Sequence, residues 1–144
     1  MADRVEFELV SPQRLLMSEP VEMVVVPGVE GDFGVLPGHS LLISAVRPGV
    51  IDIHEAGQVR DRIFVAGGFA QVSPERCTVL AEEAVMVGDI DRAAAEDRLA
   101  KAREALTAAE QAAKDAGDAG GGGTKAAEKE LKAAEAMLAA ASQA

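Results

Sequence analysis

"CTVLAEEAVMVGDIDRAAAEDRLAKA", residues 77–102, changes its periodicity halfway. Up to Val85 it reads as a strand. From Asp89 onward, alanine and alternating charge read as a helix, since alanine is the best helix former. The switch falls at Gly88, and the rest of the chain sorts itself about that point. Residues 1–87 hold all six prolines, all four phenylalanines, both histidines and no lysine, whereas residues 88–144 hold all five lysines. The chain is thus expected to form two domains, residues 1–87 and residues 88–144.

The first half reads as short strands. In "VEFELV" (5–10), Val5, Phe7 and Leu9 alternate with Glu6, Glu8 and Val10, the period of a half-buried strand. "VEMVVV" (21–26), "LLISAV" (41–46), "VIDIH" (50–54), "RIFVA" (62–66), "FAQV" (69–72) and "CTVLAEEAV" (77–85) follow. Gly, Pro and Ser pairs separate them: Ser11-Pro12, Pro27-Gly28, Pro37-Gly38, Pro48-Gly49, Gly67-Gly68 and Ser73-Pro74. Many short strands with no helix between them predict an antiparallel β-sandwich or barrel.

The second half predicts an antiparallel two-helix hairpin. The first helix starts with Asp89 or Asp91 as its cap and ends at Gly117. "GDAGGGG" (117–123) breaks the chain, and a second helix follows with Thr124 as its cap. Leu99 and Leu106 in the first helix, and Leu131 and Leu138 in the second, recur with alanines at spacings of three and four, a narrow coiled-coil seam. Facing residues of an antiparallel hairpin have position numbers with a constant sum. Leu99 with Leu138, and Leu106 with Leu131, both give 237. The leucines are few and the alanines remove little area from water, so the hairpin is expected to open easily.

The densest stretch is "GDFGVLPGH" (31–39). Asp32-Phe33-Gly34 spells the magnesium loop of protein kinases, but a kinase also needs an H-R-D loop and an upstream lysine. His39 and His54 precede Ser40 and Glu55, and no lysine occurs before Lys101. A hydrolase built on His39 and Asp32 has only Ser40 and Ser44 near in sequence as nucleophiles. Cys77 is the single cysteine, which excludes a disulfide framework and a thiolate cluster. "GGGGTK" (120–125) lacks the Gly-Lys-Ser/Thr order of a phosphate loop. No cofactor is expected. A net charge of −10 argues against nucleic acid and against anionic lipid. No apolar run approaches the roughly 20 residues that span a bilayer. "MADRVEFELV" has no cleavable apolar segment, so the chain reads as cytosolic.

As a set, "EGDFGVLPGHSLLISAVRPGVI" (30–51), "VAGGFAQVSPERCTVLAEEAV" (65–85) and "DIDRAAAEDRLAKA" (89–102) resemble the ε subunit of bacterial F-type ATP synthases, from about Val5 to the last helix. The resemblance implies a β-sandwich, a helical hairpin and no chemistry. It implies a rotor subunit of the central stalk, bound to γ and the c-ring, which couples proton flow to ATP synthesis. Its place would be peripheral, on the cytoplasmic side of the inner membrane. Glu30, Gly31, Asp32 and Phe33 match the family's c-ring-facing turn, and Ser11 and His39 match positions near γ. Some members inhibit ATP hydrolysis by extending the hairpin into the catalytic α/β head. Lys125, Lys129 and Lys132 lie on one helical face and could make that contact, but pairing of Glu128 with Lys132 favours reading them as helix stabilisers. Some members also bind nucleotide through Ile/Leu-Asp-x-x-Arg-Ala. Ile90 and Asp91 match, but Ala94 stands where the arginine belongs. The family often has His-Ala-Pro-Leu where this chain has His39-Ser40-Leu41-Leu42. A different class remains open: a small binding module, with a sandwich for a ligand and a helical arm for a partner.

Overall fold

The computed structural model describes residues 4–115 and 122–142. They form a β-sandwich followed by two helices, and the chain divides into two compact units, residues 1–89 and 90–144.

Ten strands build the first unit: β1 Val5–Val10, β2 Leu15–Val21, β3 Met23–Gly28, β4 Gly31–Val35, β5 Leu42–Val46, β6 Gly49–Glu55, β7 Gln58–Val65, β8 Gly68–Val72, β9 Arg76–Ala81 and β10 Ala84–Met86. The pairing order is β10-β7-β6-β3-β5-β8-β9-β1-β2, with β4 added on β3. Pairing is antiparallel except between β1 and β9, which run parallel with Phe7 opposite Cys77. That parallel pair departs from the all-antiparallel expectation. Strands so far apart in sequence leave no local signal of their direction.

The core comes from one side chain in two. Val5, Phe7, Leu9, Val24, Val26, Ile51, Ile53, Ile63, Val65, Val79 and Ala81 point inward and are almost fully buried. Cys77 is among them, and burial pushes its thiol up to about 12. It is an inert filler rather than a nucleophile.

Three places differ from the sequence reading; β4, over residues read as a turn, is one of them. β2 is hidden by Ser18, Glu19 and Pro20, which break the alternation. It exists because its backbone pairs with β1, from Val5 opposite Val21 to Val10 opposite Leu15. The long run 77–85 is two strands, parted at Glu82 and Glu83. The Ala66 amide donates to the Glu83 carbonyl and the Glu82 amide to that of Gly67, locking this corner to the β7–β8 turn.

In the second unit α1 spans Arg92–Asp115 and α2 spans Gly122–Ala141. Asp91 is the cap of α1. Its Oδ1 accepts from the amides of Ala93 (3.0 Å) and Ala94 (3.4 Å), while its carbonyl accepts the first helical bond from Ala95. Thr124 lies inside the first turn of α2 rather than capping it. Gly117 and the start of the glycine run lie outside the described residues.

Leu99, Ala102 and Ala134 form a small core with Leu131 and Leu138 against it. Leu106 stands outside this cluster, half-buried. Beside it Arg98 grips Glu130 with two bonds, Nε to Oε2 at 2.8 Å and Nη2 to Oε1 at 2.9 Å, and its Nη1 lies 3.5 Å from the Met137 sulfur. These partners have position sums of 228 and 235, below the 237 of leucine-to-leucine pairing. A helical side chain leans toward its own N-terminus, which here means toward higher numbers on α2, so the backbone offset is no smaller.

The hydrogen bonds from Arg98 hold the Glu130 carboxyl below its usual range, against a smaller opposing effect of burial. A depressed carboxylate contributes its stability above the unfolded value, about 4.3, and loses it as pH falls through the folded one. With Glu130 46 % exposed, the pair contributes no more than about 1 kcal/mol. Glu130→Gln is expected to lower the stability of the helical signal by about that much at neutral pH. The difference should shrink as pH falls below the unfolded value and be gone once pH passes below the depressed folded one. A pH-independent difference in circular dichroism melts would mean that the clasp acts by packing alone.

We propose that each unit folds by itself. A chain ending at residue 89 is expected to keep a cooperative β-type melt. Its aggregation would show that the sandwich needs the hairpin.

Candidate interaction surfaces

Two surfaces of the sandwich stand out, a hairpin tip and an outward sheet face.

The tip joins β3 to β4. Its turn is Val29-Glu30, and Gly31, Asp32 and Phe33 already pair with Gly28, Pro27 and Val26. Three of the four residues expected in the turn are therefore strand. Gly31 has φ 132°, a value that suits glycine. A side chain at Gly28 would meet the Gly31 carbonyl oxygen at 2.8 Å and the Phe33 ring at 3.0 Å, so the ring lies against bare backbone. Glu30 is exposed at the end. Asp32 is not a lone acid: Arg47 Nη2 meets its Oδ1 at 2.6 Å.

His39 ends the turn Leu36-Pro37-Gly38-His39. Its amide donates to the Leu36 carbonyl, and Gly38 takes φ 85° after Pro37, the geometry of a type II turn. The Gly38 amide donates to the Pro74 carbonyl at 2.7 Å, tying this turn to the β8–β9 turn. His39 Nδ1 lies 2.7 Å from its neighbour's carbonyl oxygen, on Ser40. A carbonyl can only accept, so Nδ1 carries the proton. No hydrogen bond joins His39 to Asp32, and the pair a hydrolase would need is not assembled. Ser11 closes the β1–β2 turn, its amide donating to the Arg14 carbonyl and its hydroxyl lying 3.3 Å from the same oxygen. Ser11 follows the last residue of β1, while His39 sits beside the turn that precedes β9. The two lie at opposite ends of the β1–β9 pair and do not meet.

Between those ends runs a face that strand-by-strand reading missed. Ala45 is opposite Phe69, Phe69 opposite Leu80, Leu80 opposite Val10, and Val10 opposite Leu15. This is one row across five strands on the side away from the core. Phe69 is 60 % exposed, Leu80 53 % and Leu15 55 %, and Ile43 on the same face is 75 % exposed. The signal was present as unbroken apolar runs, Leu41-Leu42-Ile43 and Val79-Leu80-Ala81. Such runs belong to strands covered on both faces, and a contiguous bare apolar face marks a docking surface.

On the helices, Lys125 and Lys132 are exposed, and so is Lys129. Asp91 is committed to capping, and Ala94 is the residue its carboxylate reaches in the first turn. Among the described residues no cluster of His, Cys, Asp and Glu could hold a metal, and no helix is long and apolar enough to cross a membrane.

A ten-stranded sandwich with a shaped tip, an apolar face and a helical pair defines a class of interaction subunit. The family model for the ATP synthase Delta/Epsilon chain, beta-sandwich domain, matches residues 4–87. The ATP synthase epsilon chain of Paramagnetospirillum magneticum is 59 % identical over 106 residues, covering 74 % of this chain and 80 % of that one. That of Rhodospirillum rubrum is 57 % identical over 116 residues, covering 78 % and 87 %. In a solved structure of the mitochondrial ATP synthase of Euglena gracilis, one chain shares the fold with TM-score 0.75 at 24 % identity, over 97 % of this chain and 82 % of that one. The chain belongs to the ATP synthase epsilon chain family.

Proposed function

We propose that this chain is a non-catalytic subunit of the central stalk, which turns with γ and the c-ring and couples proton flow to ATP synthesis. The observation that carries this reading is the outward apolar row, Phe69, Leu80, Val10 and Leu15, which passes beside Ser11 at the end of β1. A γ subunit seated on the row meets Ser11 beside it, and one that also extends along the strands to the β8–β9 turn meets His39. The β3–β4 tip, with Glu30 foremost, is the c-ring contact. The subunit then joins the membrane complex through its partners, peripherally and on the cytoplasmic side.

The helices supply regulation. Lys125, Lys129 and Lys132 offer positive charge to an acidic surface of the α/β head when the hairpin opens. Opening breaks the Arg98–Glu130 clasp and a core of three buried residues, which is a small barrier.

An affinity-tagged full-length chain, expressed in its host and recovered from gently solubilised membranes, tests the reading. It is expected to bring γ, the c-ring and the catalytic head with it. Recovery of the chain alone would reject the stalk role in favour of a free binding module.

Nucleotide is not expected to control the hairpin. Ala94 removes the bidentate donor suited to phosphate, and the Asp91 carboxylate occupies the amides that an anion would use. A charge-assisted bond is worth about 1.5–3 kcal/mol, so affinity should be about ten- to a hundredfold below that of a chain with the arginine. Calorimetric titration of ATP into the wild type and Ala94→Arg checks this. Micromolar binding by the wild type, unimproved by the arginine, would place the site on other residues.

A further inference from the structure

The tip of β3–β4 is bound at several points to the end of β5 and the residues after it. The Val29 amide donates to the Ala45 carbonyl at 3.0 Å, and the Arg47 amide to the Pro27 carbonyl at 2.9 Å. The Arg47 guanidinium then spans the hairpin, with Nη1 2.7 Å from the Gly28 carbonyl oxygen and Nη2 2.6 Å from Asp32 Oδ1. Pro27 has no N–H to give, so it and Gly28 bind Arg47 as acceptors, through their carbonyl oxygens.

We propose that Arg47 is the positioning residue of the c-ring contact. It draws Asp32 back into an ion pair, leaves Glu30 as the acid presented at the tip, and sets the angle of the Val29-Glu30 turn. This rests on the reading of the tip as the c-ring contact. Two acids two residues apart at a turn would otherwise repel each other and invite either to pair with the partner. A planar guanidinium with donors on two acceptors fixes an orientation, which an ammonium does not. The partner surface is then one basic or amide side chain facing Glu30, with apolar contact to Val29, which is 57 % exposed. Asp32 acts through Arg47 and not on the partner.

The test uses the full chain and purified γ–c-ring rotor subcomplex. Arg47→Ala and Asp32→Asn are each expected to weaken binding about three- to fivefold, the range of an exposed ion pair, and the double variant no further. Glu30→Gln should weaken binding additively with either. Amide hydrogen exchange on the isolated chain gives the second readout. Arg47→Ala and Asp32→Asn should each speed exchange at Val29 and Phe33 several-fold, with the amides of β8 and β9 unchanged, and Arg47→Lys should restore part of the protection. Additive losses for Arg47→Ala and Asp32→Asn, or weaker binding by Asp32→Asn with exchange unaltered, would overturn the proposal, because Asp32 would then meet the partner directly. A wild type that fails to bind the rotor rejects the stalk reading. The exchange arm still decides whether Arg47 holds the tip.

Discussion

Gly68→Ala is expected to destabilise the sandwich severely. Gly68 opens β8 at φ 142°, and a Cβ there would lie 1.9 Å from the Leu80 carbonyl oxygen and 3.1 Å from the Ala81 Cα. Both neighbours are backbone of a paired strand and cannot swing aside. Gly68 is paired with Ala81 on that side and with Val46 on the other, so moving either strand breaks a ladder. Overpacking costs about 1–3 kcal/mol and a strained positive φ about 1–3 more. Together that is about 4 kcal/mol, or a fall in Tm of roughly 15–30 °C for a domain of this size. Gly57→Ala is the comparison: it shares a positive φ, 76°, but has no neighbour within 4 Å. It should cost about 1–2 kcal/mol. Thermal melts of the two variants separate contact from conformation, and a Gly68→Ala melt close to that of Gly57→Ala would refute the close approach.

The double substitution Phe69→Asp with Leu80→Asp is expected to leave the sandwich folded and abolish its association with γ. The two side chains are paired neighbours and more than half exposed. Their replacement removes nothing from the core, and Tm should move by only a few degrees. Covered by a partner, each would contribute about 1.5–3 kcal/mol, and a carboxylate forced into the same interface adds a further penalty. A loss of about 4 kcal/mol or more is at least a thousandfold in affinity. Titration of the purified variant against γ reads this directly. Unchanged affinity would move the γ contact off this face and leave the apolar row without a partner.

The tip variants are small perturbations beside these. The face carries area, and the tip carries direction. On the proposed reading a rotor subunit needs both, burial on the face to hold it on γ and the tip to set how it meets the c-ring. The Arg98–Glu130 clasp belongs to a third scale, near 1 kcal/mol, which suits an element meant to open.

Local pattern alone determined the class of fold and most of its parts. "VEFELV" matches β1 residue for residue, because one buried face forces a period of two. The alanine-rich run after Asp89 is helical because alanine loses no side-chain entropy there. The kinase reading falls on missing partners, which can be counted without coordinates. Tertiary structure decided what depends on pairs far apart in sequence. The parallel union of β1 with β9 joins residues 70 positions apart. β2 is held by β1 despite Pro20, since ladder bonds outweigh a weak local preference. The Arg98–Glu130 clasp joins two helices 32 positions apart and shows only when both are in place. Asp91 rather than Asp89 caps α1, a choice made by where the backbone turns. Asp32 looks like a free acid in "GDFGV" and is an ion pair in the fold, because Arg47, fifteen residues on, returns along β5 to the same corner. The apolar row appears only when five strands are laid side by side, since its members are never neighbours in the chain.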